Sequence, residues 1–512
     1  MNQLKAGAAL NYVSICLNMI VGLIYTPYML RMLGQSEYGL YSLAASIIAY
    51  LTVLDLGFGN AIVRYTAKFR TEGKQREQEE MFGMFFILYI GIGVMAMMAG
   101  CVLSLNVENL FSHSMTETEV YRTRIMLWLM TFNLAFTFPM SIWGSIMTAY
   151  ERFVFQRVIS IVRSVLNPIV MVLLLVIGYK AVAMVVVTTI FNVVTLLINW
   201  WYCKYKLEVK VRFAKFKWGF LKEVSIYSFW IFLNAIMDRI YWSTGQFVLG
   251  IYKGSAAIAV YAVAIQLVSM YMLFSTAIAS VFLPRVTSMV TKGANNEEIS
   301  ILFIRTGRLQ YIVMAFIISA FIVFGRQFIN LWAGNDYADA YYLTLMLFVP
   351  LTIPQIQNLG IVILQARNQM KFRSLLYIII ALCSLWLSVL LAQRYEGFGC
   401  AFATGLALLL GQGLIMNIYY QRIQKIAIKG FWVEILKMSI VPIVFVTVCV
   451  LLLNCFDLTN MTIWQFVIGV VCYTVLYIPL FFKFCMNVEE KRLLLSPLTI
   501  VVTKIKSRYK GV

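Results

Sequence analysis

The sequence predicts an all-α integral membrane protein of about fourteen transmembrane helices: two parallel six-helix repeats plus two C-terminal helices. Three observations predict it. Of 512 residues, 62% are hydrophobic and only 12% charged, with a mean hydropathy of +0.83. An ordinary soluble domain carries about 25% charged residues, so a soluble globular enzyme is excluded. Apolar stretches of about 20 residues, the length needed to cross a hydrocarbon core of about 30 Å, recur along the whole chain. A segment near the start also reappears, without a gap, 216 residues later.

The apolar stretches lie at 8–30, 39–62, 81–105, 124–148, 157–178, 181–202, 224–249, 255–282, 309–331, 341–364, 373–393, 397–419, 438–455 and 462–484. The first follows Met1 to Gly7, which holds one Lys, and runs to Leu30. That is longer than the apolar region of a cleavable signal, so it is read as a retained helix. The largest connections are Cys203–Glu223, Arg64–Glu80 and Pro284–Arg308, none of them long enough for a catalytic domain outside the membrane.

The basic residues orient these spans, because basic loops stay on the cytoplasmic side. With both termini inside, cytoplasmic segments hold 34 Lys and Arg and outer loops hold seven. Only Arg239 is left in mid-membrane. The net charge of +20 is therefore an orientation signal facing anionic lipid, and a nucleic-acid partner is excluded. The nine Cys show neither CxxC pairs nor metal-ligand spacing, so no disulfide framework, metal or cofactor is expected.

Ile15–Gly34 aligned with Ile231–Gly250 gives eight identities in 20 positions, including Asn18 with Asn234 and Tyr25 with Tyr241. The first span thus matches the seventh, each repeat holds six spans, and an even number makes the repeats parallel. The predicted organisation is a six-helix bundle at 1–215, a second at 216–420, and two further helices with a basic cytoplasmic tail at 421–512. Two facing bundles leave a central cavity suited to alternating access.

The seventh span carries a polar stripe of Tyr227, Asn234, Asp238, Tyr241 and Gly245, with Arg239 about 100° round the helix. The first span carries Asn11, Asn18, Gly22 and Tyr25. Polar groups facing lipid each cost several kcal/mol, so such stripes face protein or water. A charge at mid-membrane costs about 2.5–3.5 kcal/mol even on the mildest scale. Asp55 in the second span and the Asp238–Arg239 pair are functional candidates on that ground, the two aspartates as coupling groups for a proton or sodium ion. Arg163, with Asn167 four residues on, and Arg64 add guanidinium groups suited to phosphate. The competing structural reading makes Arg64 an interface anchor and the aspartates helix-pairing partners.

Pro139 in the fourth span and Pro350 with Pro354 in the tenth fall at similar places in the two repeats. Proline removes a backbone hydrogen bond, and paired breaks mark the binding region or hinges of transporters. Gln355, Gln357 and Asn358 follow as neutral groups suited to sugar hydroxyls. No GxxxxGK[ST] motif is present, so no nucleotide-driven step is expected from this chain. The one histidine, His113, lies in an outer loop.

Tyr25-Thr-Pro-Tyr-Met-Leu-Arg-Met-Leu-Gly-Gln-Ser-Glu-Tyr-Gly-Leu-Tyr, Leu54-Asp-Leu-Gly-Phe-Gly-Asn-Ala-Ile-Val-Arg-Tyr and Ala67-Lys-Phe-Arg-Thr-Glu-Gly resemble the corresponding segments of the polysaccharide transporter family. That family belongs to the multidrug, oligosaccharidyl-lipid and polysaccharide flippase superfamily. The resemblance implies a V-shaped, fourteen-helix bacterial inner-membrane flippase. It would move undecaprenyl-diphosphate-linked oligosaccharide from the cytoplasmic to the periplasmic leaflet for O-antigen or capsule export, alongside polysaccharide assembly proteins. Arg239, Arg163 and Arg64 are counterparts, by location, of that family's cavity cations. A cation-coupled multidrug exporter of the same superfamily is the nearest alternative, and a membrane polymerase or ligase a more distant one.

Overall fold

A computed structural model describes residues 3–214, 218–367, 369–455 and 461–493. All regular elements among these residues are helical. Among the described residues, ten helices are long and apolar enough to cross a membrane, or eleven if one bent pair counts as a single span. Two of the ten runs, Ala9–Thr71 with 63 residues and Lys371–Arg422 with 52, far exceed the 20 or so residues one crossing requires.

The chain divides into two compact units. The first comprises Met1–Gln266 and Lys371–Ala407. It contains α1 (Gln3–Leu51), α2 (Phe58–Thr71), α3 (Gln75–Leu105), α4 (Val107–Phe111), α5 (Glu117–Ala149), α6 (Phe153–Ile177), α7 (Ala181–Tyr205), α8 (Trp218–Tyr252), the start of α9 (Ser255–Thr291) and most of α13 (Lys371–Leu408). Helix α5 is packed between α3 and α7, and α1 lies against α6 and α8. Phe82, Phe85, Tyr89, Ile142 and Ile146, all fully buried, form the centre of the α2–α3–α5 core.

The long helical runs turn where backbone chemistry allows it. Gly34, at φ 73°, separates the first two predicted spans within α1, and Glu396, at φ 51°, divides α13. The predicted span 39–62 is interrupted: a short 3-10 turn covers Thr52–Asp55, and Leu56 and Gly57 are both left-handed before α2 begins. A left-handed non-glycine such as Leu56 costs roughly 1–2 kcal/mol, so the surrounding core must hold this break in place. Helix α5 starts in a capping box, with Thr116 and Glu119 each satisfying the other's backbone N–H.

The two proline sites behave differently. Helix α5 continues through Pro139, which leaves the Ala135 carbonyl without its intrahelical donor. A Cβ on Gly93 of α3 would lie 2.7 Å from that oxygen, so a glycine there admits the freed carbonyl.

The second unit comprises Leu267–Met370 and Leu408–Val512. Its helices are the remainder of α9, α10 (Asn296–Trp332), α11 (Ala340–Ile356), α12 (Leu359–Ala366), α14 (Met416–Arg422), α15 (Ile428–Cys455) and α16 (Ile463–Phe484). Here proline does break the helix: α11, containing Pro350 and Pro354, meets α12 at a 43° bend. A π-helical turn at Leu409–Ile415 precedes α14, and the Asn417 amide donates to the carbonyls of Gln412 and Gly413 within it. Helix α10 packs on α11, α15 and α16, with Tyr473, Tyr477 and Phe481 buried in an aromatic stack.

Candidate functional site

The polar residues singled out in the sequence fall into separate groups within the two units. In the first unit, the stripe of α8 meets the start of α13. Arg373 donates from Nη1 to Asn234 Oδ1 at 3.1 Å, and the Asn234 amide donates to Ser374 Oγ at 3.4 Å. One turn further along α13, the Tyr377 ring lies 4.2 Å beneath the Arg373 guanidinium. Asp238 is within electrostatic reach of both Arg373 and Arg239. Asp238 and Arg239 are exposed, whereas Tyr241 is buried with its hydroxyl lacking a hydrogen-bond partner. The group therefore holds two guanidiniums, one carboxylate, an amide and two phenols.

Arg373 did not emerge from the sequence. It sits at the edge of an apolar span beside Lys371, the place where basic residues ordinarily snorkel to the interface. The signal available was the i, i+4 pairing with Tyr377, which puts both on one helix face.

A second group lies among α5, α6 and α7. Arg163 donates from Nη1 to Asn192 Oδ1 at 3.0 Å. The Asn192 amide in turn donates to Asn133 Oδ1 at 2.7 Å and Thr137 Oγ1 at 2.8 Å. Asn167, one turn from Arg163, has a buried amide oxygen without a partner. Among the described residues no carboxylate pairs with Arg163, so its charge is met by neutral dipoles alone.

The remaining first-unit residues are dispersed. Asp55, at the break before α2, accepts from the Tyr89 hydroxyl at 2.8 Å. Tyr25 donates to Met171 Sδ at 3.0 Å, Asn18 is exposed on α1, and Arg64 is exposed near the Tyr65 ring.

In the second unit, the α11–α12 bend is filled by neutral polar groups. Ser275 Oγ donates to the Gln355 carbonyl at 2.6 Å and accepts from the amides of Gln310 at 3.1 Å and Asn358 at 3.4 Å. Gln357, 3% exposed, donates to Asn417 Oδ1 at 2.8 Å. Gln355 retains a buried amide oxygen without a partner. The bend that proline creates is thus satisfied by side chains in place of backbone. Among the described residues no cluster of three or more His, Cys, Asp or Glu could hold a metal.

A family model for polysaccharide biosynthesis proteins matches residues 4–290. No match is found among curated proteins. Among solved structures, the chain resembles the lipid II flippase MurJ in an inward closed conformation, at 15% identity and a TM-score of 0.71, over 96% of this chain and 99% of that one. It also resembles an inward-facing multidrug resistance transporter of the MATE family, MOP superfamily, at 14% identity and a TM-score of 0.57, over 81% and 99% of the two chains. A MOP superfamily transporter from Pyrococcus furiosus, described as having a binding pocket of reverse polarity, matches at 14% identity and a TM-score of 0.54, over 82% and 97%.

Proposed function

The chain belongs to the polysaccharide biosynthesis protein family, and on that premise we propose that it is a flippase. Its substrate would be an undecaprenyl-diphosphate-linked oligosaccharide, carried by alternating access from the cytoplasmic to the periplasmic leaflet of a bacterial inner membrane. In this reading both termini are cytoplasmic, fourteen spans form two six-helix repeats (1–215 and 216–420), and two further helices follow. The glycan would be of the O-antigen or capsule type, passed to polysaccharide assembly proteins.

The observation that carries the reading is Arg163, a guanidinium within an apolar helix that is hydrogen-bonded to an amide and met by no carboxylate among the described residues. A cation held that way favours an anionic ligand such as a diphosphate. Arg239, Arg373 and Arg64 would add charge along the route. Asn18, Asn234, Tyr25, Tyr241, Gln355, Gln357 and Asn358 would replace the water lost by sugar hydroxyls, each of which costs roughly 2–7 kcal/mol to desolvate unpaired. Outward movement of a diphosphate also runs down the membrane potential, at about 2.3 kcal/mol per charge per 100 mV. Asp55 or Asp238 would couple a proton or sodium ion, and Pro139, Pro350 and Pro354 would serve as bending points.

A cation-coupled drug exporter is the second reading. Asp238, exposed on α8, favours it, and a cationic drug would need such carboxylates. The fold is that of transporters, so the polymerase or ligase reading is dropped. In a deletion strain, lipid-linked repeat units should accumulate on the inner leaflet, with wild type but not Arg163→Ala restoring export. Unchanged glycan export with a gain in drug susceptibility would establish the exporter instead.

A further inference from the structure

A cavity of about 310 Å³ opens in the first unit, sharing no lining residue with the groups above and walled by the turn after α2, the start of α3, Tyr150 and the segment following α7. We infer that it is a binding site for a pyranose sugar ring. Its walls carry two cations, Arg70 and Lys210, two carboxylates, Glu79 and Glu208, and the amides of Gln75 and Gln78. An anion site requires donors, and a cation site requires acceptors. A wall of balanced charge that presents both at close spacing matches a ligand whose every hydroxyl both donates and accepts. The volume is at the lower end for small-ligand sites, which suits a single ring.

The walls are held before any ligand arrives. The Arg70 guanidinium stacks 4.1 Å from the centroid of the Tyr150 ring and donates to the Ala149 carbonyl at 3.2 Å. Gln78 donates to the Tyr150 hydroxyl at 2.9 Å, and Gln75 to Glu79 Oε1 at 3.3 Å. The Arg212 N–H donates to the Glu79 carbonyl at 3.1 Å, which fixes the far wall against α3. On that wall Glu208 is left-handed at φ 51°, a conformation that carboxylate-bearing residues adopt at a cost and that clusters at binding sites. The cavity lies beside the basic connections 64–80 and 203–223, on the side assigned to the cytoplasm.

The site does not depend on the flippase reading, and its test is separate from any transport assay. The full chain in nanodiscs is titrated with methyl pyranosides of glucose, galactose, mannose, rhamnose and N-acetylglucosamine, with inorganic phosphate as the charged control, followed by saturation-transfer NMR. At least one pyranoside should bind. Gln75→Ala and Lys210→Ala, both at exposed positions, should each weaken it about tenfold. Phosphate should not compete. A polyprenyl-diphosphate carrying the same sugar distinguishes the source: displacement of the methyl pyranoside identifies a lipid-linked occupant, and no displacement a free sugar. Binding of phosphate alone, absence of pyranoside binding, or binding unaffected by both substitutions overturns the assignment.

Discussion

Arg373 Nη1 donates to Asn234 Oδ1 at 3.1 Å, joining the start of α13 to the polar stripe of α8. Asn234 is the residue that the internal repeat pairs with Asn18, and Tyr241 the one it pairs with Tyr25. The two halves of the sequence have used the same pattern differently: Asn18 is exposed, whereas Asn234 is engaged by a guanidinium and a serine.

Replacing Arg373 separates charge from shape. Arg373→Lys keeps the cation but loses the planar fork and the stacking on Tyr377. A charge-assisted hydrogen bond contributes about 1.5–3 kcal/mol, so on the proposed function glycan export by the lysine variant should fall about tenfold or more, and Arg373→Ala should abolish it. Membrane levels of both variants, measured by immunoblot, should stay close to wild type. Full export by Arg373→Ala would reduce the residue to a helix pin.

The second unit contains a different arginine. Arg308, 6% exposed, donates Nε to Glu490 Oε1 at 2.6 Å and Nη2 to Glu490 Oε2 at 2.9 Å, in a bidentate pair. Its Nη1 reaches Glu434 Oε2 at 2.5 Å and its Nη2 the Cys485 carbonyl at 3.0 Å. These bonds tie α10 to α15 and to the segment after α16. Glu490 is itself 2% exposed. Removing one partner of such a buried pair costs about 3–5 kcal/mol, so Arg308→Ala and Glu490→Gln should lower the thermal unfolding temperature of the purified protein markedly. Glu434→Gln should lower it far less, because that carboxylate is 36% exposed and also shared with Lys437.

What the sequence made legible follows from what its chemistry encodes locally. Hydropathy made the all-helical membrane class legible because each span must satisfy its own backbone within lipid. Gly34 and Glu396 both lie between apolar stretches of the sequence, yet helix runs on either side of each turn. The break at Thr52–Gly57 was hidden, because Leu54, Leu56 and Phe58 keep the window apolar while Asp55 and two glycines weaken the helix. A 3.6-residue period shows that Asn234, Asp238 and Tyr241 share a face, but not which distant helix brings Arg373 to it. Pro354 and Pro139 look alike in one dimension. Only packing distinguishes them, through Gly93 leaving room for the carbonyl that Pro139 frees and Ser275 bridging the bend after Pro354.

Glu119 gathers hydroxyls from α1 and α9. Its Oε1 accepts from Ser36 Oγ at 2.5 Å and from Ser255 Oγ at 2.6 Å, and Oε2 from the Thr116 N–H at 3.0 Å. Close by, a Cβ on Gly39 would collide with the Ser255 carbonyl, so backbone meets backbone there. Because the two serine hydroxyls share one acceptor atom, their oxygens lie no more than about 5 Å apart, so cysteines at these positions would be neighbours. In a background with the nine native cysteines replaced, Ser36→Cys with Ser255→Cys should crosslink under oxidation and stop export, and reductant should restore it. Export that continues in the crosslinked protein would show that these helices do not separate during the cycle.

The segment after α7 leads on towards α8, and its backbone is fastened to α3. The Arg212 N–H bonds the Glu79 carbonyl at 3.1 Å, and Phe213 packs near Phe86. The approach is possible because residue 83 is glycine: any Cβ there would overlap the Arg212 carbonyl. Gly83→Ala therefore cannot be accommodated by rotating a side chain, since the obstacle is backbone on both sides. Overpacking of this kind costs about 1–3 kcal/mol. The strap is the weaker partner, because α3 lies deep in the core through Phe82 and Phe85. The variant should keep its helical content by circular dichroism yet be cut faster by trypsin after Lys210 and Arg212, whose side chains are exposed but whose backbone is held to α3 in the wild type. Equal cleavage rates in wild type and variant would show that the strap is already free of α3.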